Sequence, residues 1–419
     1  MATIITGSNT AIGKIAYPGG LMPAMIKEMP FFGAVKKRTN FNAVDGEYLA
    51  WQLSSGPGVG STFTNAQTNK GALSIKRPLI TRSTEYAVGS ISHELLICSK
   101  SNEAALASAY ITVVDGLMYG VRKDLGTKMF GNGGGSLFRS SAVSGSSSPW
   151  TITIPRTAAK LIQVGSILQR STADGTSGSV VAGNYSVSSI GPTSGSQTTY
   201  DVVIATNSGT PGTPGATDYW FRDGDFGVGI KGIGAWNPIT APTSGDSFFG
   251  VDRSVSVDYM AGTRYSASSG TYEQTLIQAS ARAADMGARQ DFGVLNPIDW
   301  AQLSQEIGSK RIADDSVPAQ LGGKRSAGFG YDALGLMTGS GLVKLIADPF
   351  CPQGYAWLGK LDTAAIWSVG DAVGILDLDG NTMLRETNAD ASEIRVGGYM
   401  QFVITEPMQW TAVTLPTVS

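Results

Sequence analysis

Histidine is nearly absent from this chain: there is one, His93, in 419 residues. A Ser-His-Asp or Cys-His nucleophilic arrangement would have to use it, and no nucleophile signature accompanies it. The same count excludes a histidine-based zinc site. Cysteine is almost as scarce. Cys98 and Cys351 make no disulfide framework and read as reduced, structural thiols. Charge is scarce too, at 15% of residues against a usual share of about a quarter. The two signs nearly cancel, 31 basic against 33 acidic, for a net charge of −2. A nucleic-acid-binding domain would carry a basic patch and a high pI. The basic clusters here are small: Lys36-Lys37-Arg38, Lys76-Arg77 and Arg122-Lys123. No apolar run reaches the roughly 18 residues of a membrane span. The start, "MATIITGSNTAIGKIAYPGG", lacks the basic and apolar regions of a secretory signal. These absences predict a protein made in a cytoplasm, with no membrane association and no standard route of secretion.

What is present is a real core among many turns. Hydrophobic residues make up 42% and glycine contributes 54 residues. The length allows two or three domains. Residues 1–40 read as an extended arm with one short helix between prolines. Residues 41–90 read as two long strands, "FNAVDGEYLAWQLS" and "ALSIKRPLITRSTEYAVGSIS", around a polar loop. Pro78 marks the second as an edge or exposed strand. Such a hairpin has little core of its own and needs a surface to lie on.

A long helix follows. Ser101 suits its N-cap and Glu103 its first turn. Leu106, Tyr110, Val114, Leu117, Val121, Leu125 and Met129 recur at helical spacing. Asp115, Arg122 and Lys128 fall off that stripe, and Gly131 suits the C-cap. About 28 residues make a rod of about 42 Å. It runs straight into a glycine tract, "GNGGG". Residues 136–226 then alternate at period two between close turns, a small all-β unit that reads as an insertion. Residues 271–287 form a second amphipathic helix. "DFGVLNPIDWAQLSQEI" reads as strand, cap and helix, with Asn296 at the N-cap, Pro297 at the first helical position and Asp299 in the first turn. Residues 308–341 read as glycine-rich loop, and strands dominate the remainder.

Sites of chemistry are hard to find. "GVGIKG", Gly227 to Gly232, matches the dinucleotide glycine pattern, but no helix signal follows it. Asp223 with Asp225, and Asp377 with Asp379, lack calcium-loop spacing and read as turns. No cofactor, metal or catalytic residue is expected, and the role is structural rather than enzymatic.

The order of elements resembles the major capsid proteins of tailed bacteriophages, with the Hong Kong 97-like shell fold. The matching stretches are "DLGTKMFGNGGG", "FGVLNPIDWAQL", "VKLIADPFCPQG" and "EIRVGGYMQFVITEP". The resemblance covers nearly the whole chain outside the insertion. It implies an α+β fold with an N-terminal arm at 1–40, an extended loop with flanking strands at 41–98 and a spine helix of the peripheral domain at 99–135. It further implies an inserted β-rich domain at 136–226, a connection at 227–265, an axial domain at 266–365, and peripheral strands with the C-terminus at 366–419. The implied function is self-assembly as hexamers and pentamers into an icosahedral virion shell around double-stranded DNA, held without sequence-specific binding. A mild surface suits many copies packed together.

The implied partners are the chain itself, a separate scaffolding protein, a portal protein and a decoration or cement protein, with assembly in the bacterial cytoplasm. Trp51, Phe63, Lys70, Lys76, Arg77 and Arg82, on the extended loop, are the expected intersubunit contacts. Lys70 sits in the segment that some relatives crosslink, although no motif fixes a partner. A phage tail or adhesin protein and an encapsulin-like compartment shell are the alternatives. The long helix argues against the first and the insertion against the second.

Overall fold

The computed structural model describes residues 29–42, 44–54, 58–94, 103–196, 198–267, 269–310, 334–339, 341–376 and 383–416, excluding the side chains of 103–112 and 308–310. Three sheets and one long helix organise them.

Glu103–Lys128 is a single helix of 26 residues, about 39 Å long at 1.5 Å per residue. The expected cap Ser101, and the side chains of Leu106 and Tyr110, lie outside the description. Val113, Val114 and Leu117 pack on Ile91 and Ile394. Val121, Leu125 and Met129 enter the main core. Lys128 departs from expectation. It is buried rather than solvated, for a reason that lies in its carboxylate neighbours.

The helix lies on the first sheet. Its axis is Ala391–Ile404, a strand of 14 residues. Ser83–Ser92 pairs with this strand from Ala391 to Met400, and Ala364–Ser368 pairs with it from Met400 to Ile404. Lys36–Arg38 adds a parallel edge against Ala365 to Trp367.

The second sheet runs Thr263–Ser266, Thr411–Thr414, Tyr355–Gly359, Phe292–Leu295, Gly341–Ala347 and Leu334–Thr338. Tyr272–Asp285 and Pro297–Lys310 are the helices beside it, sharing a core built on Leu276, Leu295, Leu303 and Leu358. The local signals act as their chemistry requires. Thr271 accepts from the Gln274 N–H, and Asn296 accepts from the Ile298 N–H at 3.0 Å. Two boundaries shift. Thr411–Thr414 joins this second sheet, so residues 366–419 do not all complete the first. Leu334–Thr338 is a strand, not loop, because it closes a hairpin on Gly341–Ala347.

Phe138–Arg139 through Tyr219–Arg222 build the third sheet, seven antiparallel strands. It has its own core around Trp150, Ile154, Tyr185, Val202 and Trp220. The chain enters and leaves this unit side by side, with the Gly227 N–H donating to the Gly134 carbonyl at 2.9 Å. That closeness explains the glycine tract after the helix. A Cβ on Gly134 would sit 2.3 Å from the Asp174 carbonyl oxygen, and one on Gly135 would sit 2.1 Å from that of Asp225. Gly135 also has φ +82, which L residues avoid.

The two long strands expected over 41–90 are broken. Glu47–Tyr48 pairs with Leu79–Ile80, and Trp51–Ser54 pairs with Ser74–Lys76. The Pro78 carbonyl accepts from the Leu49 N–H at 3.1 Å, but its own nitrogen has no proton to return. The Leu79 N–H donates instead to Phe249. A short helix, Phe63–Thr68, capped by Thr62, occupies the expected loop.

Candidate functional site

The hairpin over residues 44–80 carries six of the large apolar side chains that the core leaves uncovered. Val44, Tyr48, Val59, Phe63, Leu73 and Ile75 are exposed, Val44 at 88% and Phe63 at 78%. Apolar side chains gathered on one thin element are the signature of a surface meant to be covered. Phe63 is among the contacts expected from the sequence, whereas Val44, Tyr48, Val59, Leu73 and Ile75 show no periodicity in these broken strands and carry no sequence mark. Of the residues singled out, Phe63, Lys70, Arg77 and Arg82 are exposed and Lys76 is half-buried. Arg82 lies over the Tyr399 ring at 5.4 Å. Trp51 is a correction. It is buried, donates its indole N–H to the Thr405 carbonyl at 3.1 Å, and meets Trp236 edge-on at 6.2 Å. Its own subunit uses it, as the anchor of the hairpin's base.

The second feature is a buried ionic junction where helix, first sheet and inserted unit meet. Lys128 Nζ lies 2.8 Å from both carboxylate oxygens of Glu85, 2.7 Å from Asp124 and 3.7 Å from Asp225. Arg222, from the inserted unit, reaches Asp124 at 3.0 Å. Burial pushes the Glu85 carboxyl up to about 7, against the pull of Lys128. Burial alone would lower the Lys128 ammonium, but Asp124 and Glu85 outweigh it and raise it. The Asp124 carboxyl stays below its ordinary value. Burial opposes this, but the Lys128 and Arg222 cations prevail. Asp225 therefore does more than turn the chain, and no sequence signal announced that.

His93 stands between Asp390, 2.6 Å from Nδ1, and Ser392, 2.9 Å from Nε2. The order looks like a hydrolytic triad. Ser392, however, lies inside a strand with partners on both sides, Ile91 and Arg385, so its backbone is committed to the sheet. The cluster is a clasp between strand ends. Cys351 is buried and free, and burial raises its thiol well above the ordinary range. Cys98, Asp377 and Asp379 lie outside the described residues. A four-residue helix, Ile233–Trp236, does follow "GVGIKG", contrary to expectation, but it is buried against the Phe402 carbonyl through Trp236. Among the described residues, no group of three or more His, Cys, Asp or Glu could hold a metal, and no helix is long and apolar enough to cross a membrane.

No family profile and no curated protein matches the sequence. The fold has a counterpart. Over 96% of both chains, it superposes on a chain of the cyanophage A-1(L) capsid asymmetric unit, with a TM-score of 0.55 at 12% identity. The chain has the fold of a phage capsid protein. The capsid fold is mixed α+β, as the three sheets and their helices are here. Weaker likenesses extend to Mycobacterium phage Adephagia, with a TM-score of 0.43 at 10% identity over 100% of this chain and 99% of the other. An encapsulin complex from Synechococcus elongatus has a TM-score of 0.43 at 7% identity over 98% of both chains.

Proposed function

We propose that this protein is a major capsid protein of a tailed phage, assembling as hexamers and pentamers into an icosahedral shell around double-stranded DNA. The observation that carries the reading is the end-to-end likeness to a capsid chain. The exposed apolar hairpin supports it, because a second copy of this chain is the surface that such an element would cover. In this reading the residues before 41 are the arm and 41–98 the extended loop. The helix Glu103–Lys128 is the spine, and the sheet on Ala391–Ile404 is the peripheral domain. The sheet on Phe292–Leu295, including Thr411–Thr414, is the axial domain. Residues 136–226 are an inserted domain that braces the subunit. The hairpin contacts would come from Phe63, Lys70, Lys76, Arg77 and Arg82, with the apolar residues around them. The role is structural, and a scaffolding protein, a portal and a decoration protein are the partners. The shell forms in the host cytoplasm and ends as the virion capsid.

Sedimentation of the protein, made alone and with the products of its neighbouring genes, tests this. Megadalton particles that protect double-stranded DNA from nuclease are expected. Particles filled with protein cargo would overturn the DNA assignment, and small oligomers in every combination would overturn the shell.

A further inference from the structure

Lys123 and Lys128 share one helix and have opposite surroundings. Lys128 has three carboxylates around it. Lys123 is 7% exposed and, among the described residues, its ammonium has no hydrogen bond or ion pair. A cation largely withdrawn from water with no direct partner is costly, and the neighbouring Asp124 carboxylate offsets only part of that cost. Burial, with Arg222 adding repulsion, pushes the Lys123 ammonium down to about 8.

Lys123 lines a cavity of about 410 Å³ between the helix and the inserted domain, a size within the roughly 300–1,000 Å³ of small-ligand sites. Arg222, half-exposed and also reaching Asp124 at 3.0 Å, shares its polar wall with Gln163, and Leu137, Leu161 and Leu168 form an apolar one. Asp223 also borders it, with its carboxylate accepting from the Asn184 amide at 3.2 Å. The cleft lined by Lys231 and Arg253 differs, because both of its cations already have partners. There Lys231 sits 4.2 Å from the Phe249 ring centroid and Arg253 is paired with Asp246.

We propose that this cavity binds a small organic anion, with its oxyanion head on Lys123 and Arg222 and its apolar body against Leu137, Leu161 and Leu168. The ligand would bridge the spine of the main body and the inserted domain. It supplies the negative charge that Lys123 lacks, and its apolar body suits a wall that a hydrated ion does not need. A bound anion would stabilise the docked insertion in proportion to its occupancy.

Phenyl phosphate is the probe, with phenol and inorganic phosphate as controls. Acylation of Lys123 near pH 8, read by peptide mass spectrometry, should fall by about tenfold at saturating phenyl phosphate, in line with occupancy of the site. Phenol should leave it unchanged. The thermal midpoint should rise saturably with phenyl phosphate in the natural protein and not in K123M. Unchanged acylation, or an equal thermal rise in K123M, would overturn the site. Equal protection by inorganic phosphate would overturn the organic-anion assignment. The acylation measurement uses the unaltered chain, so it holds even if K123M fails to fold.

Discussion

Lys128 donates to both carboxylate oxygens of Glu85 at 2.8 Å, across 43 residues of chain and away from water. The pair fastens the long helix to the edge strand Ser83–Ser92. Through Asp124 and Arg222 the same network reaches the inserted unit. Removing one partner of a buried pair strands the other, which costs far more than the pair itself contributes. K128M should therefore lose roughly 3–5 kcal/mol in urea unfolding of the subunit. The K128M/E85Q double variant should lose less than the sum of its single changes. Additive losses would show that the two side chains do not act as a unit.

The junction also gives stability a pH dependence of definite sign. The fold raises Glu85 from 4.5 to about 7, so the folded state holds a proton that the unfolded state has released. The Glu85 contribution is therefore largest below about 4.5 and falls as pH rises through about 7. E85Q cannot titrate and should flatten that part of the profile. A fall of equal steepness in E85Q, measured by unfolding midpoints between these pH values, would assign it to other groups.

Trp51 and Phe63 lie on the same hairpin and should fail in opposite ways. W51A opens a cavity against Trp236 and should cost the isolated subunit about 3–5 kcal/mol. F63A removes an exposed ring and should change subunit stability by no more than about 0.5 kcal/mol. Its effect should appear in assembly, as a higher protein concentration needed to form particles by light scattering. Normal assembly of F63A would remove Phe63 from the contact surface.

Two glycine substitutions separate close approach from mere flexibility. G135A places a Cβ 2.1 Å from the Asp225 carbonyl oxygen at φ +82. It should undock the inserted unit and make the crossing segments near residues 131–135 and 223–229 sensitive to protease. Gly116 lies in the long helix with nothing within 4 Å of its Cβ position. G116A should stabilise the subunit by about 0.5–1 kcal/mol, the helix preference for Ala over Gly.

Much of the architecture was legible because local chemistry and tertiary structure agree. The stripe from Val114 to Met129, the Asn296 cap and the alternation within 136–226 each follow from a short stretch of chain. What stayed hidden depends on distant partners. Lys128 reads as a surface residue until Glu85 arrives from another strand. Trp51 reads as an exposed aromatic until Trp236 and the Thr405 carbonyl claim it. Thr411–Thr414 carries no mark of which sheet it will join. The exposed apolar residues of the hairpin are invisible to periodicity, because its paired segments are short and interrupted around Pro78. His93 stands alone in the sequence, and its alignment with Asp390 and Ser392 depends on strands nearly 300 residues apart.

Copies of this chain are expected to close into a shell. Electron microscopy of the purified protein, alone and then co-produced with its neighbouring genes, tests it most directly. Closed icosahedral particles, with the hairpin over residues 44–80 lying on an adjacent subunit, are the predicted result. Discrete small oligomers, rods or trimeric spikes under both conditions would contradict it.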